Sequence, residues 1–337
     1  MVSKDFLMRV NQEYGVKLTE VPSNLDIVFT AKSSFQLLQD EQTKQIYILK
    51  IFPSISFSLT PPETYFKGLG YFVQHVTLEG IPLVNYLPTI QGTRHMGHQG
   101  KYYVLYPFIE GHSYTGSNDE LKDTAQVHAK MNKALEEMDP KQVDFIKRKI
   151  RNIFLRNGDL PTLFQEAETK IKSNNENESI AKLKLVLPLV RDQVEIIDEN
   201  LYRSLPAGVS HKDVWPANVI YEEGKVTAIL DPDEMMYIPR ARDVMYSIWC
   251  FATYAPDGKI TAPDMMKAKA YLTAYLNQSD LTDEEIKLFP KVAVRVWTED
   301  FLHFVLNSDL SIDPLPNLES RVAHITNAVE SQGKFNF

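Results

Sequence analysis

Four residues have types and spacing that could do chemistry together: His211, Asp213, Asn218 and Asp231. The carboxylate of Asp213 could accept the proton of an attacking hydroxyl. The amide oxygen of Asn218 and the carboxylate of Asp231 suit Mg²⁺, a hard cation that takes oxygen ligands and fills its remaining shell with phosphate and water. Catalytic loops for phosphoryl transfer run His-x-Asp, carry an asparagine five positions after that aspartate, and continue to another aspartate past a hairpin. The alternative is an ordinary loop whose polar residues satisfy turns. Asp213, Asn218 and Asp231 at these steps favour the chemistry.

The hairpin that must bring the metal ligands together is written in the residue types. Val219-Ile220-Tyr221 and Val226 to Leu230 are short β-rich runs, and Glu222-Glu223-Gly224-Lys225 is turn chemistry between them. Asn218 precedes the first strand and Asp231 follows the second, so the two side chains are expected at the same end.

The first third of the chain supplies a cation. An amphipathic helix is expected at Lys4 to Tyr14, with strands at Asp26 to Thr30, Ser34 to Gln39 and Gln45 to Phe52. In the third strand Ile46, Ile48, Lys50 and Phe52 share one face. A lone lysine at a strand end is usually solvated, whereas one on an apolar face can hold nucleotide phosphates. A helix follows, with Thr60 as N-cap, Pro61 at its first position and Glu63 at the capping-box position, running to Leu78 or Glu79. Leu83 to Leu87 and Lys101 to Pro107 read as further strands, and His95 and His98 between them as loop residues.

Beyond Phe108-Ile109-Glu110-Gly111 the pattern becomes helical: Ser117 to Met138, Lys141 to Arg156, Leu160 to Lys172, and one long helix over Ile180 to Leu201. After the catalytic segment, helices are expected at Asp243 to Tyr254, Ala262 to Leu276, Asp283 to Asn307 and Leu318 to Glu330. The expected architecture is α+β, with a small β-rich lobe at 1–108, a large helical lobe at 109–337 and a ligand cleft between them. On one C-terminal helix Trp297 and Asp300 share a face, as do Glu299 and His303. Core packing with solvated acids is the favoured reading of that group; an aromatic beside acids for an amine-bearing acceptor is the other.

The 337 residues are enough for two lobes, and 44% apolar with 24% charged residues is ordinary for a globular protein. A net charge of −8 argues against a nucleic-acid partner. Cys250, the single cysteine, excludes a disulfide framework and reads as a buried small hydrophobe. With no apolar leader and no run of ~20 apolar residues, a cytoplasmic location and no membrane partner are expected.

The stretches Leu205 to Asp213, Trp215 to Ile220, Ile229 to Asp233 and Pro239 to Val244, with Tyr47 to Lys50, Phe108 to Gly111 and Thr124 to His128, resemble the family of aminoglycoside phosphotransferases, choline kinases, fructosamine kinases and type II homoserine kinases. The resemblance implies a protein-kinase-like two-lobed fold and ATP- and Mg²⁺-dependent transfer of the γ-phosphoryl to a small-molecule hydroxyl, with an amino alcohol, amino acid or amino sugar as the candidate acceptor. By it Asp213 is the base, Asn218 and Asp231 hold Mg²⁺, Lys50 contacts the α/β phosphates, Ser33 and Ser34 donate to phosphate, and Phe108 and Ile109 face the adenine. His211 and Asp243 brace the catalytic loop, and Asp233 lies near metal or substrate or caps the segment after it. There are three departures. Thr30-Ala31-Lys32-Ser33-Ser34 has no glycine where kinases carry a Gly-rich loop. No helix glutamate can be assigned to Lys50, with Glu63, Gln74 and Glu79 as nearest candidates. Pro232 stands where relatives carry an aromatic. The missing glycines and the unassigned helix glutamate motivate a rival reading, a catalytically silent kinase-like protein that binds nucleotide or a partner.

Overall fold

A computed structural model describes residues 3–21, 34–52, 60–149, 160–255 and 259–335. Five antiparallel strands form the N-terminal sheet: β1 (Leu18–Glu20), β2 (Ser34–Asp40), β3 (Ile46–Phe52), β4 (Met96–His98) and β5 (Lys101–Pro107). Their order is β1-β2-β3-β5-β4. The period-two pattern of β3 divides its neighbours. Leu49 packs with Val10, Tyr14, Leu38 and Leu105 beneath helix α1 (Lys4–Tyr14). Ile48 and Phe52 face the other way, onto helix α2 (Pro62–Leu78) and its Phe66, Leu69 and Phe72. Lys50 lies on this second face, opposite Val104 of β5.

The C-terminal lobe is helical: α3 (Asn118–Glu136), α4 (Pro140–Lys149), α5 (Leu160–Lys172), α6 (Glu178–Arg191), α7 (Glu199–Ser204), α8 (Arg240–Ala252), α9 (Met265–Leu276), α10 (Asp283–Asn307) and α11 (Leu318–Ser331). Two small antiparallel pairs interrupt it: β6 (Ala207–Ser210) with β9 (Met236–Pro239), and β7 (Val219–Glu222) with β8 (Lys225–Ile229). One continuous apolar core joins α2 to this lobe, through Val76, Leu83, Leu121, Ile229 and Trp249 among others. Among the described residues no helix is long and apolar enough to cross a membrane.

Several expectations are corrected. The stretch 83–87 is not a strand of the main sheet. Leu83 bridges to Ile229, the Val84 N–H donates to the Ile229 carbonyl and the Ile229 N–H to the Pro82 carbonyl, so this segment ties the N-terminal lobe to the catalytic hairpin. The helix expected over 180–201 is two. Pro188 lies inside α6 and offers no N–H to the preceding turn, and Asp198 caps α7 through the Leu201 N–H. The N-cap of α2 is Pro61 without a side-chain bond, and Pro62 fills the first helical position, one residue later than expected. The strand expected at Asp26 to Thr30 lies outside the described residues.

The crossing between lobes needs one glycine. Gly111 has φ 138°, and a Cβ there would fall 2.6 Å from both Ile220 Cγ2 and the Tyr221 carbonyl oxygen. The next residue, His112, bridges to Tyr221 through both backbone groups. Gly111→Ala must therefore adopt a strained backbone and push β7 away. It is expected to lose about 2 kcal/mol of stability, with a Tm several degrees lower by calorimetry. An unchanged Tm would show that this approach is not required.

Candidate active site

The catalytic segment is held by a short ladder and a tight turn. After β6 the chain runs through His211, Lys212 and Asp213, and a single tight helical turn at Pro216–Asn218 delivers it to β7. Glu223 and Gly224 have φ of 49° and 75° and form the two-residue loop of a hairpin whose twist suits its strands. The Leu230 N–H donates to the Asn218 carbonyl at 2.8 Å, closing the hairpin base. Asn218 and Asp231 therefore lie at one end, as their spacing predicts.

Outside the hairpin turn, Lys212 at φ 73° and Asp231 at φ 55° also carry left-handed backbone without being glycine. Such conformations persist where the surroundings over-determine them. The Lys212 N–H donates to Asp243 Oδ1 at 2.9 Å. Asp243 Oδ2 accepts from His128 Nε2 at 2.7 Å and from Asn132 Nδ2 at 2.9 Å. Burial raises the Asp243 carboxyl, but His128 and these donors outweigh it, and the group is held below its ordinary range. His211, fully buried, reaches the Leu230 carbonyl through Nε2 at 2.9 Å and lies 3.3 Å from the Asp213 N–H through Nδ1. One nitrogen donates and the other accepts, so the ring is neutral. Burial accordingly pushes its pKa down, against the pull of Asp243. Both residues brace the loop.

Asp213 sits at the floor of the cleft with each carboxylate oxygen engaged. Asn218 Nδ2 donates to Oδ2 at 2.8 Å, and the Tyr246 hydroxyl donates to Oδ1 at 2.9 Å. Burial and then the charge of Glu234 raise its pKa, against Lys212, Tyr246 and Asn218. Asn218 Nδ2 also donates to the Asp213 carbonyl at 3.0 Å, which leaves its Oδ1 as the atom for a metal. Among the described residues no group of three or more His, Cys, Asp or Glu could hold a metal by itself. An amide oxygen and a carboxylate fit an ion that completes its shell with phosphate and water.

Lys50 is 2% exposed. Its ammonium lies 3.0 Å from Asp231 Oδ1, and 2.9 and 3.1 Å from the two oxygens of Asp233. Burial alone would depress its pKa, but Asp233 and then Asp231 raise it above the ordinary lysine range. Phe108 and Ile109 line the cleft, and the Phe108 N–H is spent on the Ile46 carbonyl at 2.8 Å. Ser34 opens β2 opposite Ile51. Ser33 and the rest of the loop expected at 30–33 lie outside the described residues.

The cleft has a volume of about 1170 Å³ and continues past Asp213 and Tyr246 to α10 and α11. There Trp297 is buried and stacks on His324 with centroids 3.8 Å apart, as core packing requires. Glu299 is neutralised by Arg242 at 2.6 Å and Arg295 at 3.0 Å. Asp300 pairs with Arg321 at 2.5 Å. The packing reading of Trp297 holds, whereas the acids are paired rather than solvated. Cys250 is buried and its thiol is pushed up by burial. Tyr246, Tyr86, His128 and Asn132 were not singled out as site residues in the sequence; each lies far along the chain from the carboxylate it serves, with no local spacing to announce it.

This fold and site define a class, a small-molecule phosphotransferase. The model of the "Phosphotransferase enzyme family" matches residues 30–280, and the chain belongs to that family and is a small-molecule kinase. It is 24% identical over 273 residues to a homoserine kinase of Polaromonas naphthalenivorans (strain CJ2), covering 79% of this chain and 78% of the relative. In fold it is similar to amicoumacin kinase hAmiN in complex with AMP-PNP, Ca²⁺ and Ami, at TM-score 0.69 and 15% identity over 99% of this chain and 94% of the other. It is also similar to a microcompartment-associated aminopropanol kinase, at TM-score 0.66 and 13% identity over 99% and 97% of the two chains.

His324 gives the site a pH signature. Burial first, and then Arg321, lower its pKa from 6.5 to about 3. A histidine neutral in the fold and protonated when unfolded stabilises above pH 6.5, and that contribution is lost as pH falls from 6.5 towards 3. Urea unfolding is expected to show this loss, and His324→Gln to flatten the slope between pH 7 and 5 by about 2 kcal/mol. Equal slopes for the two proteins would contradict the assignment.

Proposed function

We propose that this kinase transfers the γ-phosphoryl of ATP, with Mg²⁺, to a hydroxyl of a small molecule, in a cleft between lobes at 1–108 and 109–337. The observation that carries the reading is the meeting of Asp213, Asn218, Asp231 and Lys50 in one cleft. Phe35, Ile48, Tyr106, Ile220 and Leu230 line its apolar part, a slot for the adenine beside Phe108 and Ile109. Lys50 would hold the α/β phosphates, with Ser33 and Ser34 as further donors. Asn218 and Asp231 would hold Mg²⁺, which when bound neutralises charge on the phosphate oxygens. Asp213, its carboxylate fixed by Asn218 and Tyr246, orients the acceptor hydroxyl and takes its proton. Positioning and charge neutralisation supply most of the rate.

The acceptor belongs in the half of the cleft beyond Tyr246. Asp300 and Arg321 there present opposite charges, each only partly buried. The acceptor class we favour is a small amine-bearing alcohol, amino acid or amino sugar, because homoserine kinase and aminopropanol kinase are among the similar proteins. Against the rival, silent reading, Lys50 is held by acids without a helix glutamate, which answers one of its two grounds.

Asp213→Asn is expected to lower kcat by ~10³ or more while Mg-ATP affinity by calorimetry stays within about twofold. Asp231→Ala is expected to weaken Mg-ATP binding at least ~10-fold. Near-full activity of Asp213→Asn would remove the role given to it. An ATP-consumption panel of choline, ethanolamine, homoserine, aminopropanol, fructosamine and aminoglycosides is expected to find turnover with an amine-bearing alcohol. Turnover only with uncharged alcohols would overturn the acceptor class and leave the phosphotransferase intact.

A further inference from the structure

The acid that serves Lys50 lies outside α2. The three candidates for a helix glutamate partner, Glu63, Gln74 and Glu79, are all exposed. The face α2 turns inward is Tyr65, Phe66, Leu69, Phe72 and Val73, an apolar surface with one hydroxyl. A lysine 2% exposed cannot reach a solvated glutamate across that layer. Asp233 instead contacts it with both oxygens, at 2.9 and 3.1 Å.

Asp233 is itself fixed from three sides. The Tyr86 hydroxyl donates to its Oδ1 at 3.0 Å. The Tyr65 hydroxyl of α2 donates to its backbone carbonyl at 2.5 Å. Pro232, its own φ locked by the ring, starts the short helical turn Pro232–Glu234 on which Asp233 rides. Tyr65 keeps α2 in the circuit as a hydrogen-bond donor to the loop, in place of an acid for the lysine.

We propose that Asp233 positions Lys50 for the nucleotide phosphates, doing from the metal loop what a helix glutamate does in other kinases, with Tyr86 and Tyr65 holding it in place. This assignment rests on the phosphotransferase reading above. If Asp231 were to hold a metal, Asp233 would still keep a carboxylate against the ammonium and Lys50 would stay aimed. One short segment thus carries the metal carboxylate and the lysine's partner, two residues apart. The competing role for Asp233 is a second metal ligand.

Calorimetric binding of AMP-PNP with Mg²⁺ to wild type, Lys50→Met, Asp233→Asn and the double variant separates the two roles. Each single change is expected to weaken binding about tenfold, with the double variant within about twofold of Lys50→Met, because both remove one interaction. The Mg²⁺ concentration for half-maximal nucleotide binding is expected to stay at the wild-type value in Asp233→Asn. Losses that multiply in the double variant, no loss in Asp233→Asn, or a tenfold higher Mg²⁺ demand would each overturn the assignment. Where the charge-removing variants fail to fold, Tyr86→Phe leaves both charges in place. About threefold weaker binding at unchanged Mg²⁺ demand then supports the role, and wild-type affinity contradicts it. A wild-type protein that binds no AMP-PNP with Mg²⁺ would remove the phosphotransferase reading itself; binding without coupling to Asp233 would remove only this one.

Discussion

A buried ammonium is the constraint on which the site depends. Lys50 comes from the sheet lobe, and its two carboxylates come from the loop after β8. A charge this deeply buried is tolerated only if paired, and taking away one partner of such a pair typically costs about 3–5 kcal/mol. The two lobes are therefore tied at the point where nucleotide phosphates would lie. The same contact fixes Asp231 and Asp233 in a segment whose backbone is otherwise unfavourable, with Asp231 in the left-handed region.

The rest of the site supports that contact by removing freedom from the loops. Asp243 lies on α8 and receives the Lys212 N–H on one oxygen, and His128 and Asn132 of α3 on the other. His211 ties the catalytic loop to Leu230, one residue before Asp231. Hydrogen bonds from the chain at 82–84 to Ile229 secure the hairpin from the opposite side. The loops that carry Asp213 and Asp231 are thereby joined to helices of the large lobe and to the segment after α2. These bonds fix the backbone of both loops, and aligned polar groups of this kind are the form preorganisation takes.

Much of this was legible in the sequence because its signals are local. The steps from Asp213 to Asn218 and on to Asp231 encode a loop and a hairpin, and alternation in Ile46 to Phe52 put Lys50 on an apolar face. Helix Asp283 to Asn307 was bounded correctly by its capping and periodicity. What could not be read is non-local. Tyr86 meets Asp233 and His128 meets Asp243 across more than a hundred residues of chain. Leu83 to Leu87 has the composition of a strand, but its hydrogen bonds go to Ile229 and Leu105 in isolated contacts rather than a ladder. The acid beside Lys50 is equally non-local: Asp233 lies 183 residues further along the chain, and no spacing on α2 announces it.

A crystal structure with Mg²⁺ and AMP-PNP tests the central claim most directly. The account predicts a metal about 2.1 Å from Asn218 Oδ1 and from an Asp231 oxygen. It also predicts the Lys50 ammonium about 3 Å from an α- or β-phosphate oxygen, with the Asp213 carboxylate facing the γ-phosphate side of the cleft. A metal held elsewhere, or a nucleotide bound with Lys50 still closed on Asp231 and away from the phosphates, would contradict it.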